Sequence, residues 1–172
     1  MMTVKQKKII TFLFLIALLA VVYFFFTRHG GANITTVSGY YYVDYTVDGD
    51  TIDVLMNGVH ERVRLIGVDT PETHKPNTPV QCYGVIASDF TKTNLEHKNV
   101  RLESDPINQN RDRYQRLLRY VYLDDGTLWN AKLVREGYGH ALTAFPFTKS
   151  GEFVEYENLA KNENLGLWSA CQ

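Results

Sequence analysis

The chain has 172 residues, 45% of them hydrophobic and 22% charged, with a formal net charge of −1. That length holds one ordinary domain with residues to spare. The near-neutral balance excludes broad, non-specific adhesion to nucleic acid, so any phosphate recognition must come from a local cluster of basic side chains.

The first segment does not read as part of a globular fold. Lys5, Lys7 and Lys8 precede an uncharged apolar run over residues 9–26 (IITFLFLIALLAVVYFFF), and Arg28 follows it. At ~1.5 Å per residue the run makes a helix of about 27 Å, close to the thickness of the bilayer hydrocarbon. A signal peptide has a shorter apolar region and a small-residue cleavage site, and Thr27-Arg28-His29-Gly30 offers none. We read 1–8 as a basic cytoplasmic tail, 9–26 as a single transmembrane anchor, 27–39 as a polar linker and 40–172 as one extracytoplasmic domain. The lysines hold the N-terminus inside. A cleaved signal that releases a secreted domain is the alternative. Residues 1–29 hold four basic residues and no acid, which leaves the exported part a net charge near −5.

The elements of the domain follow in order. Residues 40–47 (YYYVDYTV) are aromatic and β-branched, hence a strand. Residues 51–56 form a second strand, Asn57-Gly58 is the preferred two-residue hairpin turn, and 59–68 return as a third. Residues 70–79 hold three prolines and form a loop. Residues 80–97 have helical spacing of Val85, Ile86, Phe90 and Leu95. Strands follow at 99–103 and 116–123, separated by an arginine-rich connection. Thr127 is placed to cap a helix that ends at Glu136 before Gly137, and a last helix spans 151–165. Trp168 is expected in the core. This is an α+β pattern with five short strands and three helices, and it fits a small closed barrel of the oligonucleotide-binding type.

Two cysteines, Cys82 and Cys171, form a candidate disulfide in an exported domain, the alternative being two unpaired thiols. The histidines His60, His74, His97 and His140 are scattered and read as surface residues.

The residues that carry chemistry begin with Asp48-Gly49-Asp50-Thr51 and Arg64-Leu65-Ile66-Gly67-Val68-Asp69-Thr70-Pro71-Glu72. Carboxylates beside backbone carbonyls suit a hard cation such as Ca²⁺ better than Zn²⁺. An arginine matches a phosphate, and a glutamate can take a proton from water. Pairing about Asn57-Gly58 puts position 50 opposite 65, so Arg64 lies close to Asp50. Bringing Asp69 there needs a bend, for which Gly67 is a candidate. A surface ion pair with Glu61 or Asp53 is the other reading of Arg64. Arg111, Arg113, Arg116 and Arg119 crowd around Tyr114, a pattern of guanidinium forks and a ring that suits a phosphate and a base.

In order along residues 40–171 stand D-G-D-T, R-L-x-x-V-D-T-P-E, Y-G-x-x-A-S (Tyr83 to Ser88), D-x-Y-x-R, L-V-R-x-G (Leu133 to Gly137) and G-L-W-S (Gly166 to Ser169). This set strongly resembles the staphylococcal nuclease (thermonuclease) family. The resemblance implies a Ca²⁺-dependent endo- and exonuclease that acts on DNA and RNA and leaves 3′-phosphates, with a monomeric domain. It implies Asp50 and Asp69 as metal carboxylates with the Thr70 carbonyl. It implies Glu72 as general base, Arg64 and Arg116 on the scissile phosphate, and Arg113 and Tyr114 on the terminal phosphate. The chain departs from the family where Gln115 replaces the glycine of D-x-Y-G-R. Phe145 and Phe147 stand in place of stacking tyrosines, and only His74 and Lys75 remain of the basic loop. A non-catalytic, membrane-tethered nucleic-acid-binding barrel is the competing expectation, and a Ca²⁺-stabilised structural domain a third.

Overall fold

The computed structural model describes residues 38–73 and 78–171, together with positions 6, 16, 18–20, 23 and 24. The chain divides into two units, Met1–Thr35 and Thr36–Gln172. The expected anchor over 9–26 lies outside the described residues but for those scattered positions, as do His74 and Lys75. Among the described residues no helix is long and apolar enough to cross a membrane.

The second unit runs β1 (Ser38–Asp48), β2 (Thr51–Met56), β3 (Val59–Leu65), β4 (Val68–Asp69), α1 (Gly84–Leu95), β5 (Asn99–Glu103), β6 (Leu117–Tyr122), α2 (Trp129–Arg135), β7 (His140–Ala141), α3 (Ser150–Asn162) and α4 (Leu167–Ala170). Strands β1, β2, β3, β6 and β5 close into a barrel in that order, and β4 pairs with β7 apart from it. The β3–β6 contact is parallel and the others are antiparallel. This is the five-stranded barrel that the strand count predicts.

Alternation within the strands builds the core. Ile52 and Val54 of β2, Val63 and Leu65 of β3, Val100 and Leu102 of β5 and Val121 of β6 are all buried, and each lies two residues from its neighbour in the same strand or faces it across one. Full burial of such a side chain stabilises by about 1.5–3 kcal/mol. The β2–β3 register follows from the turn, in which Asn57 and Gly58 both have positive φ (52° and 81°). Thr51 pairs with Arg64, and the Leu65 N–H donates to the Asp50 carbonyl at 2.9 Å.

The third strand is shorter than the sequence pattern predicts. It stops at Leu65, and the chain bends at Gly67 (φ 76°) before β4. A Cβ at Gly67 would stand 2.6 Å from the Phe147 ring, so the bend admits only glycine. Buried Asn130 fastens it by donating to the Ile66 carbonyl at 2.9 Å, while its own Oδ1 accepts the Val121 N–H at 2.8 Å. The bend turns Asp69 toward His140 of β7.

Four other expectations are corrected. Thr127 does not cap α2; Leu128 occupies that position, and Thr127 instead closes the turn by donating its N–H to Asp125 and accepting the Leu123 N–H. Trp168 is only half-buried, edge-on to His140 with the Lys161 ammonium over its ring, and the buried residue of α4 is Leu167. Phe147 is core (2% exposed) and packs edge-on against Phe153, so only Phe145 remains exposed for stacking. The helix expected over 80–97 is trimmed to α1, because Tyr83 at φ 68° breaks the helical path before Gly84.

Cys82 and Cys171 form a disulfide across a sequence separation of 89 residues. It ties the entry to α1 to the C-terminal turn. Closing a loop of that length stabilises by about 4–5 kcal/mol in the chain-entropy picture. Replacing both cysteines with serine is expected to lower folding stability by several kcal/mol and leave the barrel intact, as read by urea unfolding and circular dichroism. An unchanged midpoint would show that the bridge constrains nothing.

Candidate active site

The site is assembled where β2 begins and β3 ends. Asp50 is buried (5% exposed) because it sits in the tight turn before β2, with its carbonyl committed to Leu65. Both oxygens of its carboxylate accept hydrogen bonds. Oδ1 accepts the Thr51 hydroxyl at 3.0 Å, and Oδ2 accepts the Thr70 N–H at 2.8 Å and its hydroxyl at 3.1 Å. The turn itself is pinned from behind by the Thr91 hydroxyl of α1, which donates to the Gly49 carbonyl at 2.6 Å.

Arg64 joins the parts. One guanidinium nitrogen donates to the Leu65 and Val68 carbonyls at 2.8 and 2.6 Å. The other lies 3.1 Å from Asp50 Oδ2 and 2.8 Å from Asp69 Oδ1. The surface ion pairs that Arg64 could have made belong to neighbours. Asp53 is held by Arg62 in a two-point bond (2.8 and 2.9 Å), and Glu61 by Arg111 (both 2.9 Å). Asp50, Arg64, Asp69 and Thr70 are thus brought together, as the spacing and the bend at Gly67 require. Glu72 follows three residues after Asp69, half-buried, with its Oε1 accepting the Thr73 N–H at 2.9 Å.

The electrostatics are those of a crowded acid group. Burial first, and then the Asp50 charge, push the Asp48 carboxyl up to about 7. Burial and the same Asp50 charge raise Asp69, against the opposing pull of Arg64. One guanidinium does not neutralise three carboxylates. Among the described residues no group of three or more His, Cys, Asp or Glu side chains is gathered to hold a metal. The candidate donors are instead two carboxylates and the Thr70 carbonyl, all oxygen, and that chemistry fits a hard cation.

The arginine-rich connection divides in two. Arg119 is buried (3% exposed) and turned into the fold, donating to the Leu118 carbonyl at 2.7 Å and Asn110 Oδ1 at 2.8 Å. With Arg111 on Glu61, neither belongs to a phosphate cluster, which corrects the sequence reading of four convergent arginines. Arg113 and Arg116 do converge. Their guanidinium carbons lie 4.7 and 5.3 Å from the Tyr114 ring, and Arg113 donates to the Tyr114 hydroxyl at 2.7 Å. Arg116 is held by Asp112, with Nε and Nη2 both 2.7 Å from one carboxylate oxygen. In the parallel β3–β6 register Arg64 pairs with Leu118, so Arg116 stands in the turn that enters β6, the strand beside Arg64.

Gln115 explains itself by its backbone. It has φ 66°, and the Asp112–Arg116 turn closes through Asp112 N–H to the Arg116 carbonyl and Gln115 N–H to the Asp112 carbonyl, each 3.0 Å. A left-handed conformation costs an L-residue about 1–2 kcal/mol, which is why glycine suits the position. The Gln115 side chain is exposed, so the departure strains the turn and does not alter the Asp112–Arg116 contact.

A closed five-stranded barrel with a bridged carboxylate pair and a converged Arg–Tyr–Arg turn defines a barrel protein equipped to engage phosphate. The chain belongs to the staphylococcal nuclease homologue family, which matches residues 62–170. It is 47% identical over 129 residues to a thermonuclease of Staphylococcus intermedius, covering 74% of this chain and 75% of that one. Identity is also 47% over 130 residues to a thermonuclease of Staphylococcus hyicus, with 75% of each chain covered. Endonuclease YncB of Bacillus subtilis is 40% identical over 131 residues, which cover 74% of this chain and 60% of that protein. The chain is a thermonuclease-like nuclease that hydrolyses phosphodiester bonds.

The raised Asp48 has a consequence for folding. Its ordinary value is 3.8 and its value here is about 7, so between those pH values the native state binds more protons than the unfolded chain. Stability therefore falls as pH rises through that window, and the penalty is full above about 7. Asp48→Asn is expected to raise the urea midpoint at pH 7.5 and to leave it nearly unchanged at pH 4, both in chelator. Equal shifts at the two pH values would contradict the assignment.

Proposed function

We propose that this nuclease is Ca²⁺-dependent, cleaves both DNA and RNA, and leaves 3′-phosphates by attack of water on phosphorus. The observation that carries the proposal is the Arg64 bridge between Asp50 and Asp69, with Glu72 three residues beyond. The all-oxygen donors and the unneutralised carboxylates support a hard cation held by Asp50, Asp69 and the Thr70 carbonyl, and few charged ligands support a weak site. When bound, the ion polarises a phosphoryl oxygen and offsets charge as it develops.

The remaining steps belong to the chain. Glu72 accepts a proton from the attacking water. Arg64 and Arg116 donate to the non-bridging oxygens, whose charge grows as the pentacoordinate state forms. The P–O5′ bond breaks, the 5′ oxygen leaves as a hydroxyl after taking up a proton, and phosphate remains on the 3′ oxygen. Arg113 and Tyr114 hold a neighbouring phosphate and base, in keeping with their mutual contact. The Asp112 partner of Arg116 keeps the guanidinium oriented until a phosphate competes for it.

We further propose that residues 9–26 anchor the chain and hold the nuclease outside the cell, supported by the flanking Lys5, Lys7 and Lys8 and by the disulfide, which belongs to an oxidising compartment. The domain works as a monomer.

Glu72→Gln and Arg116→Ala are each expected to lower kcat by roughly 10²–10⁴-fold with unchanged melting, measured on single-stranded DNA in millimolar Ca²⁺. Near wild-type rates in both would overturn the assignment of roles.

A further inference from the structure

The base must be aimed, and Glu72 lies in a loop with three prolines between residues 70 and 79. A loop of that kind does not fix a side chain by itself. The Gln81 N–H donates to the Glu72 carbonyl at 3.0 Å, and the Gln81 side-chain Oε1 accepts the Glu72 N–H at 2.8 Å. One residue thus closes on both backbone groups of Glu72, which sets its φ and ψ and with them the direction of its Cα–Cβ bond.

Gln81 can do this because it stands in a rigid frame. Cys82, its neighbour, is covalently joined to Cys171. The Gln81 carbonyl accepts the Gly84 N–H at 3.0 Å, which locks Gln81 to the first residue of α1. Gly84 is buried against the same loop, and a Cβ on it would stand 3.0 Å from the Glu72 carbonyl and 3.1 Å from that of Pro71. At the other end α4 is seated by Leu167, which is buried and whose N–H donates to the Gly137 carbonyl at 2.8 Å. The position of Glu72 is thereby referred to the disulfide and to α1.

We propose that Gln81 is a positioning residue for Glu72, acting through its side-chain oxygen to hold the carboxylate in line for proton transfer. It does not touch substrate. The side-chain bond is solvent-exposed, so it contributes little to stability, and its effect falls on the geometry of the base. The inference rests on Glu72 being the general base.

The test is steady-state cleavage of single-stranded DNA in saturating Ca²⁺ by wild type, Gln81→Ala, Gln81→Glu and Glu72→Gln, with a melting curve for each. Gln81→Ala removes only the side-chain acceptor and keeps the backbone bond. It is expected to lower kcat ~10–100-fold while KM stays within ~2-fold. Gln81→Glu, which restores an oxygen at the same reach, is expected to recover most of that loss. The inference is overturned if Gln81→Ala keeps a kcat within ~2-fold of wild type while Glu72→Gln is crippled, and the assignment of Glu72 then stands. It is equally overturned if Gln81→Glu is as slow as Gln81→Ala, or if the loss tracks a lowered melting temperature. A near wild-type Glu72→Gln removes the base assignment and this inference together.

Discussion

Everything at the site depends on one buried guanidinium. Arg64 is 8% exposed, and it donates to two backbone carbonyls on either side of the Gly67 bend while lying within 3.1 Å of both Asp50 and Asp69. Without it, two carboxylates would face each other across the bend with no compensating charge. Removing one partner of a buried ion pair leaves the other uncompensated, which costs about 3–5 kcal/mol. The same group that stabilises the phosphate in the proposed chemistry therefore also holds the carboxylates together before substrate arrives.

The rest of the architecture serves that arrangement. The barrel sets the β2–β3 register, which places Arg64 one step from Asp50. Phe147 and Asn130 make the bend at Gly67 obligatory, and the bend delivers Asp69 and Thr70 to Asp50. The Thr91 hydroxyl holds the Gly49 turn and in turn accepts the Trp129 indole N–H at 3.3 Å, so α1 and α2 both bear on the site. Burial first, and then the Asp50 charge, raises Asp48 and Asp69, and the surplus of carboxylate over guanidinium suits the cation site proposed above. That electrostatic tension is the physical link between the fold and a metal-dependent activity.

Much of this was legible in the sequence. The barrel strands follow from period-two alternation and the Asn57-Gly58 turn, and the proximity of Arg64 to Asp50 follows from counting back across that turn. The oxidised pair followed from an inferred compartment. What the sequence did not yield depends on side chains distant along the chain. The Phe147 ring has the chemistry of a stacking group, yet the room that Gly67 leaves places it in the core. Arg119 counted as one more phosphate ligand, although its place in β6 points it inward. Thr127 has the chemistry of a cap, yet α2 starts one residue too late for it and the cap position falls on Leu128. Gln115 is legible as a departure from the family's glycine, and its positive φ makes that departure a matter of backbone strain. Gln81 carried no motif at all; only the loop's return onto Glu72 reveals it.

The most direct measurement is cleavage of single-stranded DNA by the purified protein in millimolar Ca²⁺ and again in excess chelator, with the product ends analysed. The proposed chemistry requires cleavage only with the cation, and 3′-phosphate ends. A folded protein that binds the DNA and leaves it intact in Ca²⁺, or that cuts it equally well in chelator, would contradict it.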